Sequence, residues 1–216
     1  MAKKSKRKRK LRKGRIVMAV IIVVAIVIMS CLVVKRINQN SEAKKVKNLA
    51  EIKIPDWIDS QIIDVDGASR NGYKLKGVKD IVVHYVGNPG TTAQQNHDFY
   101  AGNQSNVSSH FVVGLDGEII QCIPINEWSA ASNWRNNDTI SIEVCHPDET
   151  GKFKKKTYSS LVKLVAWLEN VCDIDESHVI RHYDITKKEC PRYFVQHEDK
   201  WKTFKKNVEK YRLAHY

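Results

Sequence analysis

At 216 residues, 42% of them hydrophobic, the chain has material for one ordinary domain with extensions. Its net charge of +12 invites a nucleic-acid role, but residues 1–15 hold ten Lys or Arg and no acid, whereas residues 57–216 hold 20 basic and 21 acidic groups, a net of −1. A folded part without positive excess lacks the footprint of a nucleic-acid binder, so no nucleic-acid partner is expected.

The basic tail, residues 1–15, precedes Ile16–Val34, which carries no charge, proline or glycine. As a helix this stretch spans roughly 28 Å, close to the ~30 Å hydrocarbon core of a bilayer. Only Lys35 and Arg36 follow it directly, so the positive-inside rule puts the N-terminus in the cytoplasm and the rest outside the cell, as a single-pass cell-membrane protein. A cleaved secretory signal would have a shorter apolar region and a small-x-small site after it. Ile28-Met29-Ser30-Cys31 has a faint likeness to a lipoprotein cleavage site, but Leu32-Val33-Val34 continues the apolar run. Residues 35–56 are polar and read as a linker, with room for helix over Ser41–Ile52; the domain is placed at 57–216.

From Trp57 strand and helix signals alternate. Ile81–Val86 is β-branched and reads as a buried strand. Thr91-Thr92 can cap a helix running to about Ala101. His110–Leu115 and Glu118–Pro124 read as strands joined by the hairpin turn Asp116-Gly117. Thr139–Cys145 reads as another strand. Leu161, Leu164, Val165 and Leu168, at i, i+3, i+4 and i+7, mark a helix over Thr157–Val171. Val179-Ile180 is a short strand, and Pro191 opens a last helix running to about Leu213. The five cysteines do not form a disulfide framework: Cys122, Cys145 and Cys172 sit among apolar residues, where free thiols behave as small hydrophobes, and a bond among them is left open.

His84 ends the run Ile81-Val82-Val83, His182 follows Val179-Ile180, and Cys190 lies in the loop beyond. Two imidazoles and a thiolate suit zinc, and three protein ligands are the number of a catalytic site, which keeps its fourth position open. The spacing His182-x7-Cys190, with His84 far upstream, is not that of a zinc finger.

The blocks Val82-Val83-His84-Tyr85, His110-Phe111-Val112-Val113 with Asp116-Gly117, Ile140-Ser141-Ile142-Glu143 and Arg181-His182-Tyr183-Asp184-Ile185-Thr186-Lys187-Lys188-Glu189-Cys190-Pro191 occur in order. Over about Ile81–Tyr193 the chain resembles the zinc-dependent N-acetylmuramoyl-L-alanine amidases, the type 2 amidase and peptidoglycan recognition protein family. The resemblance implies a mixed α/β fold, a central mixed β-sheet flanked by α-helices with a zinc site in a surface groove. It implies peptidoglycan as substrate, cut between N-acetylmuramic acid and L-alanine of the stem peptide. It implies His84, His182 and Cys190 as Zn2+ ligands, Glu143 as general base and Lys188, rather than Lys187, as the residue that steadies the oxyanion. Where several relatives have tyrosine or histidine, this chain has Ser109 and Ser129; His110 and Trp128 are taken as groove-lining candidates, and His146 has no firm role.

Two further readings come from other classes. Cys190 ahead of a Pro-started helix can serve as the nucleophile of a cysteine hydrolase, with His182 or His84 as its base. A peptidoglycan-binding module without catalysis is the other.

Overall fold

The computed structural model describes residues 2–65, 69–102 and 105–216, with side chains except at 2–14, 16 and 42–47. The side chains of the basic tail, residues 1–14, thus lie outside the described residues. The chain divides into two compact units, residues 1–42 and 43–216.

The first unit is helical. Its helix α1 (Ala2–Leu49) contains Val17–Ser41, which is long and apolar enough to cross a membrane. The large apolar side chains from Val17 to Ile37 face outward all round the helix.

The second unit is built on one six-stranded sheet. Its strands are β1 (Asp59–Ser60), β2 (Asp80–Val83), β3 (Phe111–Val113), β4 (Ile119–Gln121), β5 (Thr139–Val144) and β6 (Val179–Arg181), in the order β1-β4-β3-β5-β2-β6. Only β3 and β4 pair antiparallel; β1–β4, β3–β5, β5–β2 and β2–β6 are parallel. The sheet is mixed, as expected. The β3–β4 turn needs Gly117, at φ +91°, where a Cβ would meet Ser160 Oγ at 2.8 Å.

Central strands are covered on both faces, and alternation sorts their side chains into two cores. Ile81, Val83, Ile140, Ile142 and Val144 face helices α3 (Lys155–Cys172) and α6 (Glu198–His215). The stripe Leu161, Leu164, Val165 and Leu168 of α3 is fully buried there. Val112, Ile120, Cys122 and Cys145 face the other way with Ala93 and Tyr100 of helix α2 (Ala93–Ala101), whose N-terminus is closed by a capping box between Thr92 and Gln95. All five cysteines are free, and Cys122, Cys145, Cys172 and Cys190 are buried.

Three expectations need correction. The linker does not stay apart from the domain: α1 continues to Leu49, which is buried in the larger core, and Ile52, Ile54 and Trp57 pack against it. Lys163 Nζ lies 4.1 Å from the Trp57 ring centre, and that ring meets Trp167 edge-on at 6.0 Å. The second correction concerns the last helix, which is two: α5 (Arg192–Gln196) and α6, broken at His197 (φ −128°, ψ 77°). The break lets Phe194, Trp201 and Phe204 meet with ring centres 5.3–5.4 Å apart. Arg181 clamps it by donating to Phe194 O at 3.0 Å and to Glu198 Oε2 at 2.6 Å. Third, a helix α4 (His182–Thr186) follows β6 directly, within a stretch read as loop.

Candidate metal centre and active site

Strand register builds the site. In the parallel pairs Val82 lies opposite Ser141 and Ile180, and Val83 opposite Ile142 and Arg181. One step further along, His84 falls beside Glu143 on one side and His182 on the other, on the face away from Ile81 and Val83. The His84 amide continues the ladder by donating to Ile142 O at 2.8 Å. Three adjacent strands therefore present their side chains in a row at one sheet edge. The His84 and His182 ring centres are 4.6 Å apart, and His84 Nδ1 is 3.9 Å from Glu143 Oε1.

Cys190 completes the group from the loop after α4. Its amide donates to Lys188 O at 2.7 Å, and its carbonyl accepts from Tyr183 N at 2.9 Å. Ligand atoms of His84, His182 and Cys190 all lie within 4.8 Å of one another, and all three residues are buried. Two ring nitrogens and a sulfur converging at this range, with a carboxylate alongside, fit a tetrahedral cation of zinc's preferences with one position left for a non-protein ligand.

The electrostatics follow from burial. Desolvation first, then the neighbouring His182 and Lys188, hold His84 well below the ordinary imidazole range. Desolvation and Lys188 lower His182 as well. Both rings are thus kept neutral, the form that ligates metal. Burial raises the Cys190 thiol, helped by the Glu143 charge, while the Tyr85 amide and Lys188 oppose the rise. A thiol held protonated in this way is a poor free nucleophile, which counts against the cysteine-hydrolase reading. Burial pushes the Glu143 carboxyl up to about 8 against the pull of Lys188, and Glu143 Oε2 has no hydrogen-bond partner among the described residues. A divalent cation beside it would draw that value down.

A groove of about 620 Å³ opens at this edge; His182, Lys187, Lys188, Asn133 and Val107 are among its lining residues. Lys188 reaches the site electrostatically, since its charge acts on His84, His182, Glu143 and Cys190. Lys187 instead sits at φ 65° with Nζ 5.0 Å from the Tyr183 ring centre.

His110 and Trp128 are placed elsewhere. His110 is fully buried and has both ring nitrogens engaged: Nδ1 accepts from Ser141 N at 3.0 Å, and Nε2 lies 2.9 Å from Glu127 O. Burial lowers its pKa to about 4, so it is a neutral core histidine, not part of a groove wall. Trp128 leans on the larger core and meets Tyr73 edge-on at 5.6 Å. His146 is buried, stacked on Tyr85 at 4.9 Å, with Nδ1 2.8 Å from Asp148 O. Two residues that the sequence did not single out touch the imidazoles: Asn133 Oδ1 lies 2.8 Å from His182 Nε2, and Ser132 Oγ 3.4 Å from His84 Nε2. The only local signal was a run of small polar residues before β5.

The sequence profile of the N-acetylmuramoyl-L-alanine amidases matches residues 74–193. N-acetylmuramoyl-L-alanine amidase CwlL of Bacillus licheniformis is 30% identical over 164 residues, which cover 68% of this chain and 45% of that protein. N-acetylmuramoyl-L-alanine amidase BlyA of Bacillus subtilis (strain 168) is 32% identical over 168 residues, again 68% and 45%. The chain thus spans about half the length of the curated relatives it matches. Among solved structures, a mutant endolysin from Bacillus subtilis superposes with a TM-score of 0.62 at 30% identity, covering 70% of this chain and 97% of that one. The catalytic domain of XlyA gives 0.62 at 29% identity, covering 70% and 98%. With a matched region that takes in all three candidate ligands, Glu143 and Lys188, this chain belongs to the N-acetylmuramoyl-L-alanine amidase family.

Proposed function

We propose that the chain is a membrane-anchored, zinc-dependent peptidoglycan hydrolase that cleaves the amide between N-acetylmuramic acid and L-alanine of the stem peptide. The observation that carries this is the convergence of His84, His182 and Cys190 within 4.8 Å, with the Glu143 carboxylate 3.9 Å from His84 and His182 lining a groove. The names of the relatives, amidases and endolysins, support the substrate class.

His84, His182 and Cys190 would hold the zinc, which when bound supplies a Lewis acid and brings a coordinated water toward a pKa near ~7. Glu143, whose Oε2 has no hydrogen-bond partner among the described residues, would receive a proton from the attacking water and pass it to the leaving alanine nitrogen. Lys188, on the groove wall, would bring a positive charge to the scissile carbonyl and steady its oxygen as it becomes an oxyanion.

Helix α1 supplies the anchor. Its all-round apolar surface from Val17 to Ile37 is the pattern that lipid satisfies and water does not. With the basic tail inside, the second unit stands outside the cell, confined to the gap between membrane and wall.

The test is metal analysis of the purified full chain in detergent, combined with mass spectrometry of its digest of cell walls. Bound zinc, new L-alanine amino termini and intact glycan strands are the expected result. Cut glycan or peptide cross-links would refute the assigned bond, and zinc binding without any release would leave a peptidoglycan-binding module. Activity removed by chelation should return with zinc.

A further inference from the structure

Each of the two candidate histidine ligands touches one of two neighbouring residues of one short loop, and the role of that contact rests on the zinc reading above. His182 Nε2 lies 2.8 Å from Asn133 Oδ1, and His84 Nε2 lies 3.4 Å from Ser132 Oγ. The other nitrogen of His84, Nδ1, points to the Glu143 side at 3.9 Å. A neutral imidazole has one N–H and one lone pair, so a ring that donates from Nε2 to an amide carbonyl bares Nδ1.

We infer that Asn133 is a positioning residue for the metal centre, fixing the Nε2–H tautomer and the ring plane of His182 so that Nδ1 meets the metal, with Ser132 doing the same more weakly for His84.

The loop is built to keep Asn133 in place. Asn133 sits at φ 55°, a left-handed conformation that side chains other than Gly, Asn and Asp rarely adopt, and it opens the 3-10 turn Asn133–Arg135. Asn136 Oδ1 accepts from Ser132 N at 2.6 Å and from Ala131 N at 3.2 Å, closing the turn on itself. Arg135 bridges Asp138, at 2.7 Å, and Asp80. Asp80 is the first residue of β2, the strand that leads to His84, and its other oxygen lies 3.2 Å from His178 Nδ1, just before the strand that leads to His182. The loop is therefore pinned to both ligand-bearing strands. A strained residue persists where its surroundings over-determine it, and here the strain aims an acceptor at one ring nitrogen. Outer partners of ligating histidines commonly account for 10–100-fold in metal affinity.

Asn133→Gly removes the acceptor while suiting the left-handed backbone, and Asn133→Asp keeps an acceptor on a residue that tolerates the same conformation. Zinc affinity of the full chain in detergent is read by competition with a chromophoric chelator. Asn133→Gly should weaken it ~10–100-fold without lowering the unfolding midpoint of the metal-free protein, and Asn133→Asp should recover most of the loss. Ser132→Ala should cost less, because its contact is long. In the metal-free wild type at pH 8, the 15N imidazole spectrum should show His182 protonated at Nε2, and Asn133→Gly should mix the tautomers. Three results would overturn the inference: undiminished zinc affinity in Asn133→Gly, His182 protonated at Nδ1 in the wild type, or a loss that Asn133→Asp fails to rescue and that tracks a lower unfolding midpoint. Wild-type protein that holds no zinc would overturn the metal reading as well, whereas tight zinc binding indifferent to Asn133 overturns this inference alone.

Discussion

Glu169 gives the second unit a built-in dependence on pH. It lies on the face of α3 that packs against α6, with no atom of the residue exposed and neither carboxylate oxygen hydrogen-bonded among the described residues. Arg212 Nε approaches Oε2 at 3.3 Å, but Glu209 competes for the same guanidinium with three contacts of 2.8–3.0 Å. Burial is therefore the main effect and Arg212 the opposing one, and the carboxyl rises from 4.5 to about 7. A carboxyl that binds its proton more tightly when folded stabilises the fold below its unfolded value, and that stability is lost as pH rises through the folded value. The window runs from about 4.5 to about 7. At 1.36 kcal/mol per pH unit the full loss is about 3 kcal/mol, of which about 2.5 falls between pH 5 and pH 8. This is an upper bound, since Arg212, which covers the carboxylate, is itself partly in water. Glu169→Gln cannot ionise, so the constant cost of its buried amide cancels when its stability is compared with wild type across pH. All five tryptophans lie in residues 57–216, so their fluorescence reads unfolding of this unit in the full chain. The midpoint gap, variant minus wild type, should widen by up to ~5–10 °C from pH 5 to pH 8, at ~2–4 °C per kcal/mol for a unit of this size. A gap that stays constant over that range would mean that Glu169 ionises at no cost, and that the pair with Arg212 fully offsets its burial.

Further outcomes follow from the site and the anchor. Glu143→Gln should keep zinc and lose ~10²–10⁴-fold in kcat. Lys188→Ala should keep zinc and lose ~10²–10³-fold. Lys187→Ala should be nearly silent, because Lys187 packs on Tyr183; an essential Lys187 beside a dispensable Lys188 would shift the assignment by one residue. His84→Ala or Cys190→Ala should lose the metal itself, read by metal analysis of the purified protein. Protease added to intact protoplasts should digest residues beyond about 40 and spare a short membrane stub; an intact second unit in the cytosol would refute the topology. A form starting at residue 57 should be less stable than one starting at 43 by at least the ~1.5–3 kcal/mol of burying Leu49, and equal denaturation midpoints would show that the Leu49 contact is dispensable.

The amino-acid sequence by itself determined whatever depends on local periodicity or on residue chemistry. The charge-free run after a basic tail, the stripe of α3, the Thr91-Thr92 cap of α2 and the Gly117 hairpin each rest on interactions within a few residues. The donor set of His84, His182 and Cys190 was legible because imidazole and thiolate carry the metal preference with them, and because their blocks resemble a family. Contact geometry was not legible, because it is set by register between strands remote in sequence. Only the parallel pairing of β5, β2 and β6 puts Glu143, His84 and His182 in one row. The pairing of β3 with β5 sends His110 into the core, where Ser141 and Glu127 satisfy it, although by residue type alone it was a candidate for the groove. Leu49 and Ile52 read as parts of a polar linker because the core they pack against is assembled from elements remote in sequence. His197 broke a helix whose pattern ran through it, because aromatic packing and Arg181 rewarded the bend more than one more turn of helix would. Asn133 carries no periodicity and no motif; its distance to His182 exists only once a loop before β5 is clamped across the strands that bear both imidazoles.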